Sequence, residues 1–327
     1  MNSSSSSNDS GTDVPDYNDF GFPYLARFLL YLLLDIPAII CSLTILTVFI
    51  IDRQCRNALQ NHSIILLIII ILISQLLVIP VYTDQLRVQQ NWSMPPKFCY
   101  AWHYIDSSCF AATPVLLAWV SFERHILIFN MNFYNNEKNK ILFHYIPPCI
   151  LVIYIFAFYF FAIFFPPCEN VFDQFCSGIC FFYVTWLSLW DLVAHNIVPT
   201  FLIIVFSFTV AMRTIQHKQR LNQVLEWSKL RRMTLQLISL SLLFLIFCLP
   251  ATICFTLLPF GITTDALFNV LPYAAYFSYY PQLLLPYVCF FNIPELSAKV
   301  KRLLRIHGRR VIHPLTNQTI TIRTNAR

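Results

Sequence analysis

Residues 98–129, FCYAWHYIDSSCFAATPVLLAWVSFERHILIF, decide how the rest of the chain is arranged. An α-helix from Cys99 to Arg124 would be about 37 Å long, which exceeds the roughly 30 Å hydrocarbon core of a membrane. Asp106 and Arg124 are 18 residues apart, so they lie on one face of that helix, separated by about 27 Å. A carboxylate within a membrane span is costly, and by default it indicates a functional site or a water-lined cavity. The stretch therefore predicts a membrane-spanning helix with a functional acid inside it and a basic residue at its far end.

The composition excludes most classes of soluble protein. Of the 327 residues, 57% are hydrophobic and only 12% are charged, which is about half the charged fraction of a typical soluble domain. The basic residues flank apolar runs and form no patch with interleaved aromatic residues, so no nucleic-acid partner is expected. The 11 cysteines include no CxxC or Cys/His cluster with zinc-site spacing. Neither a metal nor another cofactor is predicted.

Seven apolar runs are each long enough to cross a bilayer. They occupy residues 24–51, 59–82, 98–129, 141–165, 186–212, 235–258 and 266–291. Prolines interrupt the first and the seventh runs, and membrane helices tolerate them because neighbouring groups satisfy the freed carbonyls. The pattern predicts an all-α membrane protein, in which residues 24–292 form a seven-transmembrane helix bundle embedded in the lipid bilayer of the plasma membrane.

The distribution of basic residues orients the bundle by the positive-inside rule. With the N-terminus outside, 19 of the 22 Lys and Arg residues lie on the inner side, and only Arg27, Arg87 and Lys97 lie on the outer side. The acidic residues of the tails and loops show the opposite bias. The N-terminus is therefore predicted to be outside and the C-terminus inside.

The segments that flank the bundle are polar. Residues 1–23 are rich in Ser and Asp and predict a disordered extracellular tail. Residues 293–306 predict a short amphipathic helix that lies on the membrane surface, and residues 307–327 predict a cytoplasmic tail with four threonines. Asn2, Asn8 and Asn91 each begin an Asn-x-Ser sequon on the outer side, so they are predicted glycosylation sites.

Four cysteines are predicted to lie on the outer, oxidising side, where disulfides are permitted. Cys99 is at the outer mouth of the third span, and the second outer loop contains Cys168, Cys176 and Cys180. A bond from Cys99 to either Cys176 or Cys180 would tie the loop over the third span, and the remaining two cysteines would bridge within the loop. Four cysteines allow three pairings, so the sequence leaves the connectivity open.

The seven spans, the external N-terminus and the motif Glu123-Arg124-His125, with Cys99 25 residues before its arginine, resemble a rhodopsin-like G-protein-coupled receptor. The corresponding motif of that family is Asp/Glu-Arg-Tyr. The resemblance implies that Arg124 contacts the α-subunit tail of a heterotrimeric G protein and that Glu123 holds the arginine in the resting state. Arg231 and Arg232 would share the basic inner cleft. The threonines of the tail would be candidate sites for a receptor kinase and arrestin.

Other spans match the family in part. Phe244 and Pro250 resemble the sixth-span motif, and Pro199 and Pro286 match prolines of the fifth and seventh spans, so these four residues are predicted to act at activation kinks. The chain departs from the pattern elsewhere. Cys248 stands where the family has a sixth-span tryptophan, Ile71 where it has a sodium-binding aspartate, and Leu230 where an acid often pairs with the arginine.

The resemblance also predicts a ligand site. Asp106 stands at the position of the amine-anchoring aspartate of biogenic-amine receptors, Tyr279 at that of a tyrosine that hydrogen-bonds it, and Asp191 at a fifth-span ligand position. His195 follows Asp191 on the same helix face. Two carboxylates beneath an outer lid would favour a cation or a dication. Phe255 lies one turn beyond Ala251 and Thr252, which replace the usual stacking aromatics. The predicted ligand-binding residues are Asp106, Phe110, Asp191, His195, Phe255 and Tyr279.

The ligand class stays open at this point, because the acids would equally line a wet vestibule or bind a basic peptide. Other classes of protein fit less well. No cluster of catalytic or metal-ligating residues stands out, so no enzyme is predicted. No lysine lies between Lys229 and Lys299 to form a retinal Schiff base in the seventh span. A transporter or channel is the remaining alternative, and transporters usually show two related halves that are not found here.

Overall fold

The computed structural model describes residues 23–53, 56, 59–88, 92–129, 136–173, 175–176, 178–218, 224–262 and 264–292. All regular secondary structure within these ranges is helical. The predicted glycosylation sites Asn2, Asn8 and Asn91 lie outside them. So do residues 1–22 of the predicted outer tail, the predicted surface helix at 293–306 and the tail at 307–327.

Seven spans form the bundle, and four of them consist of more than one helical piece. The first span is Tyr24–Ile51, the second is Leu59–Leu77 continued by Ile79–Val88, and the third is Pro96–Phe129. The fourth consists of Glu137–Lys140, the π-helical turn Ile141–Tyr145 and Ile146–Phe164. The fifth consists of Thr185–Asp191, the π-helical turn Leu192–Ile197 and Val198–Lys218. The sixth is Val224–Leu257, and the seventh is Asp265–Phe277 followed by Tyr280–Asn292.

The seventh span is broken. Within the described ranges, six helical stretches are long and apolar enough to cross a bilayer by themselves, whereas the apolar helix Tyr280–Phe291 is shorter. Pro281 explains the break at Ser278 and Tyr279, because it has no N–H to donate to the carbonyl of Phe277, four residues earlier. The predicted seven-helix bundle is confirmed, with a seventh helix that is divided rather than continuous.

Prolines also accompany the irregular turns of the second, fourth and fifth spans. Pro80 follows the break at Val78, and Pro147 and Pro199 each lie two residues after a π-helical turn. A proline cannot bond to the carbonyl four residues earlier, so the helix before it changes its hydrogen bonding. Such π turns are frequent at functional sites. Each of these two holds a histidine, His144 or His195, that contacts an acid.

The third span lies at the centre of the bundle. Of the residues in its most apolar stretch, 72% are buried inside the protein, compared with 28–50% in the other five long spans. It packs against the second, fourth and fifth spans. Large apolar side chains such as Leu33, Ile153 and Phe208 are exposed on the outside of the bundle, as expected of a surface that lipid tails cover.

Two disulfides fix the loop between the fourth and fifth spans. Cys99 bonds to Cys176, with Cα atoms 5.3 Å apart, and Cys168 bonds to Cys180, with Cα atoms 5.7 Å apart. The predicted tie between this loop and the third span is therefore present through Cys176. The alternative pairing of Cys99 with Cys180 is wrong, because Cys180 is bonded to Cys168 within the loop.

Gly178→Ala is expected to destabilise this loop. Gly178 has a φ of +97°, and a Cβ there would lie 2.0 Å from the carbonyl oxygen of Val171. Gly261 is a matched control, because its φ is also positive, at +71°, but a Cβ there would meet nothing within 4 Å. We expect Gly178→Ala to cost about 3 kcal/mol of stability or more, and Gly261→Ala about 1–2 kcal/mol.

Thermal unfolding followed with a thiol-reactive dye measures this difference. The dye reports unfolding because five free cysteines of the described residues are buried in the bundle: Cys41, Cys109, Cys248, Cys254 and Cys289. Equal destabilisation by the two alanine variants would show that the close approach to Val171 is not what requires glycine.

Candidate functional site

A cavity of about 510 Å³ opens between the third, fifth, sixth and seventh spans, beneath the loop that the disulfides fix. Five of the six predicted ligand-binding residues line it: Asp106, Phe110, Asp191, Phe255 and Tyr279. The sixth, His195, lies behind Asp191, and its side chain is 1% exposed. Phe244 and Cys248 of the sixth span form part of the same wall.

Two tyrosines hold the carboxylate of Asp106, which is 8% exposed. The Tyr279 hydroxyl lies 2.9 Å from Oδ1 and 3.1 Å from Oδ2, and the Tyr82 hydroxyl lies 3.3 Å from Oδ2. The two hydroxyls also lie 2.6 Å apart, within hydrogen-bond distance of each other. Each hydroxyl has one hydrogen to donate, so the two tyrosines together supply two hydrogens to this cluster. Tyr279 lies at the break of the seventh span, and Tyr82 follows the break of the second span. Sequence reasoning missed Tyr82.

No lysine or arginine is among the described residues that line the cavity around Asp106. The histidine of that lining, His103, contacts the carbonyl of Cys176 through Nε2. Hydrogen bonds from neutral phenols stabilise a carboxylate but leave its net charge in place, and a charge in a poorly solvated interior interacts strongly with any ion that enters. The site can therefore accept a cationic group.

Aromatic rings surround the carboxylate from several spans. The rings of Tyr82 and Phe110 have centroids 4.6 and 5.4 Å from that of Tyr279, and Tyr159 and Phe181 also line the cavity. The sequence lacks the usual aromatics after the sixth-span proline, and these rings come instead from the second, third, fourth and seventh spans and from the loop. Aromatic faces attract cations, so the lining supports the same class of ligand as the acid.

The second acid of the cavity, Asp191, belongs to a polar cluster between the fourth and fifth spans. Its Oδ1 accepts a hydrogen bond from the Tyr159 hydroxyl and lies 2.8 Å from Nδ1 of His195. Nε2 of His195 lies 3.3 Å from the hydroxyl of Tyr154. The π-helical turn Leu192–Ile197 contains His195, and Tyr154 and Tyr159 were missed from the sequence because only the folded bundle brings the two spans together.

The loop between the fourth and fifth spans roofs the cavity. Phe181, in the short 3-10 turn Cys180–Tyr183, is fully buried and lines the cavity from above. The backbone N–H of Cys180 donates to Oδ1 of Asn170 at 2.7 Å. Cys180 is also bonded to Cys168. Since Cys180 directly precedes Phe181, these two contacts of Cys180 fix the position of Phe181 in the roof.

A buried polar cluster lies at the inner end of the third span. Glu123 and Arg124 are 2% and 3% exposed. The carboxylate of Glu123 accepts a hydrogen bond from the Ser63 hydroxyl and contacts Nδ1 of His144. Nε2 of His144 lies 3.0 Å from Nδ1 of His62. The acid beside the arginine is therefore tied to both the second and the fourth spans.

Of the other residues predicted at the inner face, His125 and Arg231 are less buried than Glu123 and Arg124. Nε2 of His125 lies 3.4 Å from a guanidinium nitrogen of Arg213 on the fifth span. Arg231 is exposed. Arg232 belongs to the sixth-span helix, and its side chain lies outside the described part of the chain.

A network of neutral groups occupies the middle of the bundle. The Ser42 hydroxyl donates to Gln75 at 2.9 Å, the amide of Gln75 donates to the carbonyl of Gln282 at 2.9 Å, and the Ser74 hydroxyl donates to the side chain of Gln282. Ile71 is fully buried in the apolar core. The first, second and seventh spans are thus joined by uncharged hydrogen bonds at this level.

All four predicted kink residues lie within helices, and Phe244 shares the sixth-span helix with Pro250. Pro250 is inside Val224–Leu257, Pro286 is inside Tyr280–Asn292, and Pro199 is at the start of Val198–Lys218. The Cys248 thiol donates to the carbonyl of Ser278 at 3.4 Å. This contact joins the sixth span to the break of the seventh, next to Tyr279. The roles of these prolines and of Phe244 in activation stay predictions.

Comparison with known protein families agrees with this architecture. The sequence model described as 7 transmembrane receptor (rhodopsin family) matches residues 42–288. The chain belongs to the rhodopsin family of seven-transmembrane receptors. It is therefore a multi-pass membrane protein and a signalling receptor. A search of the curated proteins found no match.

Proposed function

We propose that this receptor binds a small cationic ligand, an amine, in the cavity around Asp106, and that it activates a heterotrimeric G protein at the inner surface around Arg124, in the plasma membrane. One observation carries the ligand class. Asp106 is a buried carboxylate whose hydrogen bonds with described side chains come from phenolic hydroxyls, in a cavity whose described lining contains no lysine or arginine. An ammonium group of the ligand would supply the positive charge that the site lacks.

The size and closure of the cavity support a small molecule over a peptide. A volume of about 510 Å³ lies within the range of pockets that bind small ligands. Phe181 covers the cavity and is itself fully buried, so a peptide chain would have to displace the roof to reach Asp106. The peptide alternative remains an outcome of the experiment below.

The inner surface supports coupling to a G protein. Arg124 is buried, so a partner reaches it only when the inner ends of the spans separate. Two hydroxyl pairs join the fifth and sixth spans: Ser207 with Ser241 at 2.7 Å, and Thr214 with Thr234 at 3.1 Å. Hydrogen bonds between membrane helices contribute only about 0.6 kcal/mol on average, so these contacts can break when the two spans move apart.

Nucleotide exchange on purified G proteins tests the proposal. The receptor, in lipid nanodiscs, is challenged with monoamines, diamines and basic peptides, with Arg124→Ala as the coupling variant and the exposed outer residue Arg87→Ala as its control. We expect an amine to trigger exchange in the wild type and in Arg87→Ala but not in Arg124→Ala, although Arg124→Ala still binds the amine.

Two results would contradict parts of the proposal separately. Exchange triggered by a basic peptide and by no amine would refute the ligand class while leaving the coupling intact. Absence of exchange with every ligand, in a correctly inserted chain that binds an amine, would refute the coupling.

A further inference from the structure

One histidine lines the cavity just beneath its roof, and sequence reasoning missed it. His103 belongs to the third span and precedes Asp106 by three residues, so their Cβ atoms are about 5–6 Å apart on one helix face. Nε2 of His103 contacts the backbone carbonyl of Cys176 in the roof. Cys176 is also bonded to Cys99, one turn before His103. The third span therefore holds Cys176 twice, through its sulfur and through its carbonyl.

The contact with Cys176 decides which nitrogen of the His103 ring carries a hydrogen. A backbone carbonyl can only accept a hydrogen bond, so Nε2 must be the donor. The Phe172 ring lies nearly parallel to the imidazole, at 13° and with centroids 6.1 Å apart, and the centroid of Trp102 is 4.7 Å away. These contacts hold the ring in one orientation and give Nδ1 a fixed direction.

Nδ1 of His103 is open to the cavity. The hydrogen bond described for His103 is made by Nε2, and no described residue bonds to Nδ1. Nδ1 is not among the buried atoms without a partner, so solvent reaches it, and the residue lines the cavity. A neutral imidazole with its hydrogen on Nε2 presents a lone pair at Nδ1. A molecule in the cavity therefore meets an acceptor at this point.

A bound amine would keep the His103 ring neutral. With an ammonium group on Asp106, a second positive charge one helical turn away would repel it. The rings of Trp102 and Phe172 beside the imidazole also solvate a charge poorly. In the complex, Asp106 would thus offer a negative charge and His103 an uncharged acceptor.

We infer that His103 determines ligand specificity by accepting a hydrogen bond at Nδ1, and that the ligand is an amine with an uncharged donor, a hydroxyl or N–H group, a few bonds from its ammonium. The inference rests on the proposed function, in which Asp106 binds the ammonium. One helical turn separates the two side chains, so the two ligand groups should be roughly 5 Å apart. An amine without the donor would take water from Nδ1 without replacing its hydrogen bond, which lowers affinity.

Three matched series of amines test the inference on the purified receptor in lipid nanodiscs. Amino alcohols of increasing chain length are compared with their O-methyl ethers and with the alkylamines of the same length, and ligand-induced thermal stabilisation measures each dissociation constant. The ether keeps the oxygen but has no hydrogen to donate, so it separates recognition of a donor from recognition of polarity. At the best chain length, the amino alcohol should bind at least about 5-fold more tightly than either control.

Two substitutions separate the acceptor of His103 from its contact with the roof. Glutamine places an amide N–H near the position of Nε2, so His103→Gln keeps a donor for Cys176 and removes the acceptor at Nδ1. This variant should unfold near the wild-type temperature and bind all three series with similar affinity. Arg87→Ala, at an exposed outer residue, is the control that should keep the wild-type preference.

His103→Asn is the complementary variant. The shorter asparagine places its amide near the position of Nδ1, so it keeps an acceptor there and loses the contact with Cys176. It should unfold at a lower temperature than the wild type, yet prefer the amino alcohol to its ether by at least about 2-fold. Loss of the preference in both variants would show that the roof contact, and not Nδ1, is responsible, and would overturn the inference.

The other outcomes distinguish this inference from the proposed function. If all three series bind the wild type equally and through Asp106, the role of His103 is refuted and the proposed function stands. Tighter binding of the ethers than of the amino alcohols would mean that His103 donates to the ligand, which also refutes the inference. If no amine binds, the proposed function itself fails.

Discussion

Asp106→Asn is expected to lower the potency of a cationic agonist by about 100-fold or more. Asparagine has nearly the same size as aspartate and can still accept a hydrogen bond from Tyr279. The substitution therefore removes the charge of the site while keeping its shape. The loss is large because the carboxylate is 8% exposed and the ammonium would meet it away from bulk water. The concentration dependence of nucleotide exchange measures the change.

Three control variants sharpen this prediction. Tyr279→Phe and Tyr82→Phe each remove one hydroxyl that contacts Asp106 but keep the charge, so each should lower potency by only about 3- to 10-fold. Asp265→Asn, at an exposed acid in the first turn of the seventh span, should leave potency unchanged. An Asp106→Asn effect no larger than that of Tyr279→Phe would show that the charge is not the anchor.

His144→Ala is expected to destabilise the receptor by about 3 kcal/mol. The substitution removes a buried imidazole that contacts the carboxylate of Glu123 and also lies 3.0 Å from His62. Glu123 is 2% exposed, so water cannot readily replace the lost partner. His125→Ala, at the half-buried neighbour of Arg124, should cost less than about 1 kcal/mol.

A double-mutant cycle identifies the cause of this loss. Glu123→Gln removes the charge that His144 faces, so the cost of His144→Ala should fall by about 1 kcal/mol or more when Glu123 is already glutamine. Thermal unfolding with the thiol-reactive dye provides the four stabilities. Additive losses would mean that the two side chains pack together without any electrostatic interaction.

His144→Ala should also change signalling. We expect Glu123 to restrain Arg124 in the resting state, and His144 ties Glu123 to the fourth span. Loss of the tie should raise basal nucleotide exchange in the absence of ligand. Unchanged basal exchange in a destabilised His144→Ala receptor would confine the histidine to a structural role.

The seven spans could be predicted from hydropathy because each must cross the same thickness of hydrocarbon in the bilayer. The first span was predicted with its bounds, Tyr24–Ile51. Other helices continue beyond their apolar windows. The third starts at Pro96, the fifth ends at Lys218 and the sixth starts at Val224, because polar residues can extend a helix into the headgroup region and water. The break of the seventh span was not predicted, although Pro281 was visible as its signal.

The site was only partly predictable, because its contacts join residues far apart in the chain. Asp106, Asp191 and Tyr279 are polar groups inside apolar runs, and such residues indicate a site. Tyrosine is a common residue of membrane helices, so Tyr82 and Tyr159 did not stand out in the sequence. Tyr82 reaches Asp106 just after the break of the second span, and Tyr159 reaches Asp191 because the fourth and fifth spans pack together. For the contact between Glu123 and His144, the sign visible in the sequence was a histidine within an apolar run. Nothing in the sequence indicated that Glu123 would be its partner.

The π-helical turns also affect how this chain is aligned with its relatives. A π turn contains about one more residue than an α-helical turn, which rotates everything on one side of it by ~100° relative to a continuous helix. Counting eight residues back from Pro199 to Asp191 passes through Leu192–Ile197, so equal residue counts do not mean equal positions in space. An alignment with a relative whose helix is α-helical at these points would need a one-residue gap at this turn and another at Ile141–Tyr145. A single deletion in either turn would redirect His195 or His144 away from its acid without shortening any apolar span.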